Sequence, residues 1–248
     1  SRAAWRYTRR LHEMCDRTLV PSSATLESLA ANGVPRLHRW GRGVDTQLFN
    51  PTRRDETLRR EWMGERERLV VGFVGRLAPE KHVERLASLA HDDSVRVVIV
   101  GDGPERARLT RLLPDAVFTG ELRGVELARA YASLDVFTHA GEHETFCQAI
   151  QEAMASGLPV VGPDAGGPRD LVSAWRTGYL LEPASYSAKL PEVIDVLRDD
   201  THRAAMGRAG LVAVRDRTWP AICEQLVGHY RAVIDGQGGL SESVLLAG

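Results

Sequence analysis

From residue 69 onward the chain repeats one pattern: a short β-branched run closes on glycine or a turn, and a helical segment follows. The runs are "LVVGFVG" (69–75), "VRVVIVG" (95–101), "VFTG" (117–120), "DVFTH" (135–139), "PVVG" (159–162) and "GYLL" (178–181). Between them, "VERLASLA", "ERARLTRLL", "VELARAYASL", "FCQAIQEAMASG" and "PRDLVSAW" carry apolar residues three and four apart, and Gly157 stands where a helix would end. Strands that are apolar throughout need cover on both faces, and strand–helix alternation supplies it. The pattern predicts a Rossmann-like α/β fold, a doubly wound parallel sheet of six strands.

Residues 1–44 do not follow that repeat. They read as a helix, the short strand "RTLVPS", the helix "SATLESLAANG" with Ser22 or Ser23 as its N-cap, and the strand "LHRWGRG". Two strands and two helices bury too little apolar surface to stand alone. The expectation is that 1–44 are the last elements of a truncated N-terminal Rossmann-like domain. On this reading 45–68 are an interdomain linker, 69–205 the sheet domain, 206–236 helices crossing back towards the N-terminal elements, and 237–248 a loose tail.

Formal charge is −1, yet residues 1–62 hold 12 Arg against 7 acids. A solvated basic helix accounts for this excess; the other reading is a peripheral contact of Arg2, Arg6, Arg9 and Arg10 with anionic lipid. No basic stripe interleaved with aromatics is present, so no nucleic-acid partner is expected. No run of about 18 apolar residues and no secretory leader pattern is found. The expectation is a cytoplasmic protein, with the inner face of the membrane as the place of any peripheral contact. Cys15, Cys147 and Cys223 are odd in number and lack disulfide or zinc spacing.

In an open sheet of order 3-2-1-4-5-6, ligands bind beyond the carboxyl ends of strands one and four, where the order reverses. The loops there are "GRLAPEK" (75–81) and "HAGEHETF" (139–146). Gly75 opens the first, and Arg76 and Lys81 supply two cations; Lys81 is one of two lysines in a chain with 30 arginines. The second loop runs into a helix expected to open near Thr145, whose free N–H groups suit a phosphate or diphosphate. Glu144 and Glu152, eight apart, would lie about 80° from each other around that helix. A carboxylate accepts from two vicinal hydroxyls, so the pair suits a ribose and a hexose. Singly, each group also has a plain structural role. Arg76 and Lys81 fit solvated cations, Glu144 an acid at a helix start, and Glu152 an acid on a solvated face.

These segments, in this order, resemble the C-terminal, donor-binding domain of GT-B retaining glycosyltransferases of family 4. Within that family the similarity is to bacterial GDP-mannose-dependent α-mannosyltransferases. It runs over about residues 10–236 and is carried by "GRGVDTQLFNP", "GFVGRLAPEKHVERL", "VIVGDGPER", the E-x7-E pair in "ETFCQAIQEAMASGLPVV", "GGP" and "RTWPAICEQLVGHYRAVI". The resemblance implies that Arg76 and Lys81 hold the diphosphate of a nucleotide-diphosphate hexose, GDP-mannose being favoured. Glu144 would meet the transferred sugar, Glu152 the ribose hydroxyls, and backbone amides at Phe146 and Cys147 the sugar or phosphate. Gly75 would line the donor site, with Glu121 and Leu122 beside the base. Arg76, Lys81 and Glu144 are then the catalytic set. The implied reaction transfers a hexose with retention to an acceptor, whether lipid, glycan or small molecule, held by an N-terminal domain. Two cations and a helix N-terminus stabilise a leaving diphosphate without a metal, so no metal and no cofactor beyond the donor is expected.

Three other readings compete. An NAD-dependent oxidoreductase would use "VGDGPER" as G-x-G-x-x-G, but Arg106 replaces the third glycine. A metal hydrolase would use His139, Glu142, His143 and Glu144, but Cys147 stands where H-E-x-x-H needs its second histidine. His139 and His143 read instead as loop residues near the sugar or at the surface. The third reading is a fragment that binds a sugar nucleotide and transfers nothing.

Overall fold

Capping residues and apolar spacing set the elements of the computed structural model, which describes residues 2–236. The expected tail at 237–248 lies outside the described residues. The N-terminal part is α1 (Arg2–His12), β1 (Thr18–Val20), α2 (Ser23–Ala31) and β2 (Leu37–Arg39). Ser22 caps α2 by accepting from the Thr25 N–H at 3.3 Å, and β1 and β2 pair in parallel as a separate sheet. Within 45–68, α3 (Glu56–Met63) is capped by Asp55, which accepts from the N–H groups of Thr57 and Leu58.

The repeat then runs β3 (Leu69–Val74), β4 (Val95–Val100), α4 (Arg106–Leu112), β5 (Val117–Gly120), α5 (Gly124–Ala132), β6 (Val136–Thr138), α6 (Gln148–Ala155), β7 (Val160–Pro163), α7 (Pro168–Leu171), β8 (Gly178–Leu181) and α8 (Tyr186–Val196). All six strands are parallel, in the order β5-β4-β3-β6-β7-β8, so the order reverses between β3 and β6 as predicted. Side-chain alternation divides the core by face. Val70, Val74 and Phe137 pack with Tyr131, Leu134, Ile150 and Met154 on one side. Val71, Phe73 and Ile99 pack with Leu86, Leu109, Tyr186 and Leu190 on the other.

Two predicted helices differ. "VERLASLA" forms a 3-10 helix, Val83–Leu89, rather than an α-helix. Its buried residues Val83, Leu86 and Leu89 are spaced by three, which aligns them on a three-residue turn. "PRDLVSAW" is helical only as far as Leu171, because Val172 turns extended and the Ser173 N–H donates to Thr177 Oγ1 at 2.9 Å.

At the amino end of the sheet, Asp135 ties α3 to the core. It accepts from Arg59 Nη2 at 3.0 Å and from the Val70 N–H at 2.8 Å, and the Arg59 and Asp135 side chains are each only 7% exposed. The last helices, α9 (Asp200–Val214) and α10 (Trp219–Ile234), follow, with α9 running unbroken across residues 205 and 206. Helix α10 returns to the N-terminal elements: Trp40 Nε1 donates to the Ile222 carbonyl at 2.9 Å, and a Cβ at Gly43 would stand 2.6 Å from Trp219 Cα. No helix among the described residues is long and apolar enough to cross a membrane.

Candidate functional site

The carboxyl ends of β3 and β6 place "GRLAPEK" beside "HAGEHETF", as the strand order requires. The first loop is held by its backbone: the Gly75 N–H donates to the Val100 carbonyl, Leu77 N–H to Asp102 O, and Glu105 N–H to Leu77 O. The loop after β4 fits only because Gly101 has no side chain; a Cβ there would lie 2.0 Å from Gly75 O. The glycines of "VGDGPER" thus serve close packing of two loops, which accounts for them without a dinucleotide. A 3-10 turn, Pro79–Lys81, then aims Lys81 at Glu144.

The second loop is fixed more firmly. The His139 N–H donates to Val161 O, Tyr186 Oη donates to the His139 carbonyl at 3.0 Å, and Arg85 Nη1 donates to Ala140 O at 2.7 Å. The "GGP" segment clamps it from above, with the Gly167 N–H donating to Glu144 O at 2.7 Å. Gly166 (φ +57°) could not carry a Cβ, which would meet Glu144 O at 2.7 Å.

Helix α6 opens at Gln148, not near Thr145, because Cys147 takes a left-handed conformation (φ 71°). Glu144 is therefore a loop residue three positions before the helix cap, and the 80° relation expected between Glu144 and Glu152 on one helix does not apply. The structure still brings Glu144 to the crevice: its carboxylate pairs with Lys81 Nζ, and His139 Nε2 lies 3.2 Å from the same oxygen. Burial opposes ionisation of Glu144, but hydrogen bonds from His139 and Lys81 hold its carboxyl at about 2.

His139 is 2% exposed, so it is not a surface histidine; its ring stacks on Phe73 at 6.1 Å between centroids. Burial by itself would lower the imidazole, and the Cys147 sulfur and Glu144 carboxylate overcome this and raise it to about 9. His143 is exposed. The side chains of Phe146 and Cys147 are buried under the clamp.

The other expected site residues form two further groups. Gly75, Arg76, Glu121 and Leu122 line one cleft of about 380 Å³ with Val74, Val100 and Leu127. Arg76 sits on its exposed rim, paired with Glu80 and not with Glu144, while Glu121 pairs with Arg123. Glu152, on α6, is half-buried rather than solvated, and Tyr131 Oη donates to its Oε2 at 3.0 Å. Burial pushes the Glu152 carboxyl up to about 7 despite that hydrogen bond.

These shifts have opposite signs for stability. Glu152 holds its proton more tightly folded than unfolded, so its stabilising contribution is complete below about 4.5 and is lost as pH rises to about 7. His139 acts likewise, from about 6.5 to about 9. Glu144 is the reverse, with its contribution lost as pH falls from about 4.5 towards 2. Thermal unfolding of the unliganded chain, followed by circular dichroism, should therefore show a decline in Tm between pH 4.5 and 7 that Glu152→Gln flattens. An unchanged decline in the variant would contradict the burial of Glu152.

Sequence reasoning missed Tyr131, the clamp glycines as partners of Glu144, and two glutamines. Gln148 Nε2 donates to the Gly43 carbonyl and Gln151 Nε2 to the Arg42 carbonyl, each at 2.9 Å, fastening α6 to the end of the segment 1–44. The signal was a polar pair three apart on a helix whose other faces are apolar.

The family described as "Glycosyl transferases group 1" matches residues 55–211. A GDP-mannose-dependent alpha-mannosyltransferase of Mycolicibacterium smegmatis is 59% identical over 234 residues, covering 94% of this chain and 62% of its own length. Among solved structures, an Anabaena protein in complex with UDP and glucose superposes with a TM-score of 0.80 at 23% identity, covering 94% of this chain and 67% of its own. Sucrose-phosphate synthase from Thermosynechococcus elongatus gives 0.82 at 23% identity, covering 95% and 63%. The last two likenesses concern the fold, which is that of GT-B glycosyltransferases.

Proposed function

The chain belongs to the group 1 glycosyl transferases, and on that premise we propose that it supplies the donor site of a retaining hexosyltransferase that uses GDP-mannose. What supports the reading is that the Lys81–Glu144 pair and the cleft of Gly75, Arg76, Glu121 and Leu122 both lie on loops at the carboxyl ends of the strands, where the sheet order reverses. The name of the M. smegmatis relative supports GDP-mannose as donor.

In this reading the base lies in the cleft beside Glu121 and Leu122, and Glu152 accepts from the ribose hydroxyls. The diphosphate meets Arg76 and Lys81. As the glycosidic bond to the leaving phosphate lengthens, negative charge grows on the diphosphate, and the two fixed cations stabilise that charge more than the ground state. No metal is needed for this step. Glu144, kept ionised by Lys81 and His139, is an acceptor for hydroxyls of the transferred sugar. The chain spans 62% of the M. smegmatis relative's length. Residues 1–44 are proposed as the last elements of a second domain, joined by 45–68 to the donor domain and embraced by α10. That second domain would hold the acceptor, whether lipid, glycan or small molecule.

Calorimetry with GDP, UDP, ADP and NAD tests the reading. GDP should bind most tightly, and Glu152→Ala or Arg76→Ala should each weaken it at least about tenfold, the loss of one hydrogen bond to a charged group. Preference for NAD would overturn it in favour of an oxidoreductase. If GDP binds but the chain with its upstream sequence transfers no mannose, the protein is a sugar-nucleotide binder without transfer activity.

A further inference from the structure

We propose that His139, Glu144 and Cys147 form a site for a thiophilic divalent cation of the zinc class. A nitrogen of His139, a carboxylate oxygen of Glu144 and Cys147 Sγ all lie within 4.8 Å of one another. With Zn–N of about 2.0–2.1 Å and Zn–S of about 2.3 Å, tetrahedral ligand atoms stand about 3.3–3.6 Å apart. Side-chain shifts of about an ångström close the set. Imidazole, thiolate and carboxylate are the ligand types zinc takes, and the sulfur disfavours Mg²⁺ and Ca²⁺, which take oxygen.

A second observation points to a ligand. His139 is 2% exposed; its Nε2 faces the Glu144 oxygen at 3.2 Å, and its Nδ1 has no hydrogen bond among the described residues. Buried polar atoms in the state of Nδ1 are uncommon, and ligation would satisfy it. The ring cannot turn freely to find another partner, since it stacks on Phe73 and its carbonyl and N–H are fixed by Tyr186 and Val161. Cys147 is 6% exposed, whereas the Glu144 side chain keeps 17%, which leaves a way in and an open fourth position. Three protein ligands with an open position are a stable zinc arrangement.

A cation seated here takes Glu144 from Lys81, the group now paired with its oxygen.

The test uses cobalt as a spectroscopic stand-in for zinc, in the full chain with the exposed cysteines removed (Cys15→Ser, Cys223→Ser). One equivalent of Co²⁺ is expected to give a thiolate-to-cobalt charge-transfer absorption that Zn²⁺ abolishes. Adding Cys147→Ser should eliminate the absorption, and adding His139→Gln should weaken Co²⁺ binding at least tenfold, with far-ultraviolet circular dichroism unchanged. No charge-transfer absorption in the protein lacking only the exposed cysteines, or its persistence after Cys147→Ser, would overturn the site.

Discussion

Replacing Lys81 with alanine is expected to lower kcat for mannose transfer by about 10²–10³-fold, the usual effect of removing one preorganised group that stabilises developing negative charge. The measurement is steady-state transfer from GDP-mannose by the chain joined to its upstream sequence. Lys81 is placed by the Pro79–Lys81 turn and the packing of the β3 and β4 loops, so its ammonium is held before any ligand arrives. Because the charge it meets grows in the transition state, kcat and kcat/KM should fall together. A rise in KM with kcat unchanged would mean that Lys81 only binds donor. The same change leaves Glu144 with His139 as its only close cation among the described residues, so the Glu144 carboxyl should titrate higher than in the parent chain. A loss of less than about threefold in kcat would contradict the role given to Lys81.

The second large effect concerns stability and lies at the opposite end of the sheet. Asp135→Ala removes the buried carboxylate from the Arg59 guanidinium, which keeps the exposed Glu56 3.5 Å from its Nε, and leaves the Val70 N–H without its acceptor. Breaking a buried pair from one side costs about 3–5 kcal/mol, because the remaining charge stays out of water. For a chain of this size that is a fall in Tm of about 6–20 °C. Asp135→Asn, which can still accept from the Val70 N–H and from one guanidinium N–H, should lose less. Equal Tm values for Asp135→Ala and the parent chain would show that the pair does not fasten the linker helix to the sheet.

The sheet was legible because each strand is a mostly apolar, β-branched or aromatic run and each crossover is punctuated by glycine or proline. The strand order then located two loops before any chemistry was considered. Local conformation was not legible in the same way. Nothing in "HETFCQ" announces that Cys147 adopts a left-handed conformation, and that one residue moves the start of α6 to Gln148 and takes Glu144 off the helix. Long-range contacts were hidden too. Gly166 and Gly167 lie more than twenty positions after Glu144 and still decide where it sits, through backbone approaches that only glycine permits. His139, in a loop beside Gly141, reads as a residue near the sugar or at the surface, and only the fold shows Phe73 beneath it and Tyr186 holding its carbonyl. Glu152 reads from sequence as an acid either on a solvated face or in the site, and neither reading reports its burial. Burial by α5, with Tyr131 as hydrogen-bond donor, decides it.

A crystal structure of this chain grown with GDP-mannose tests the central claim most directly. The account predicts the base beside Glu121 and Leu122, the ribose hydroxyls on Glu152, and the diphosphate between Arg76 and Lys81, at the carboxyl ends of β3 and β6. Nucleotide density elsewhere would contradict it. The sharpest contradiction would be density in the arginine-lined cleft of about 420 Å³ at the amino ends of the strands, bounded by Arg54, Arg68, Arg198 and Arg203.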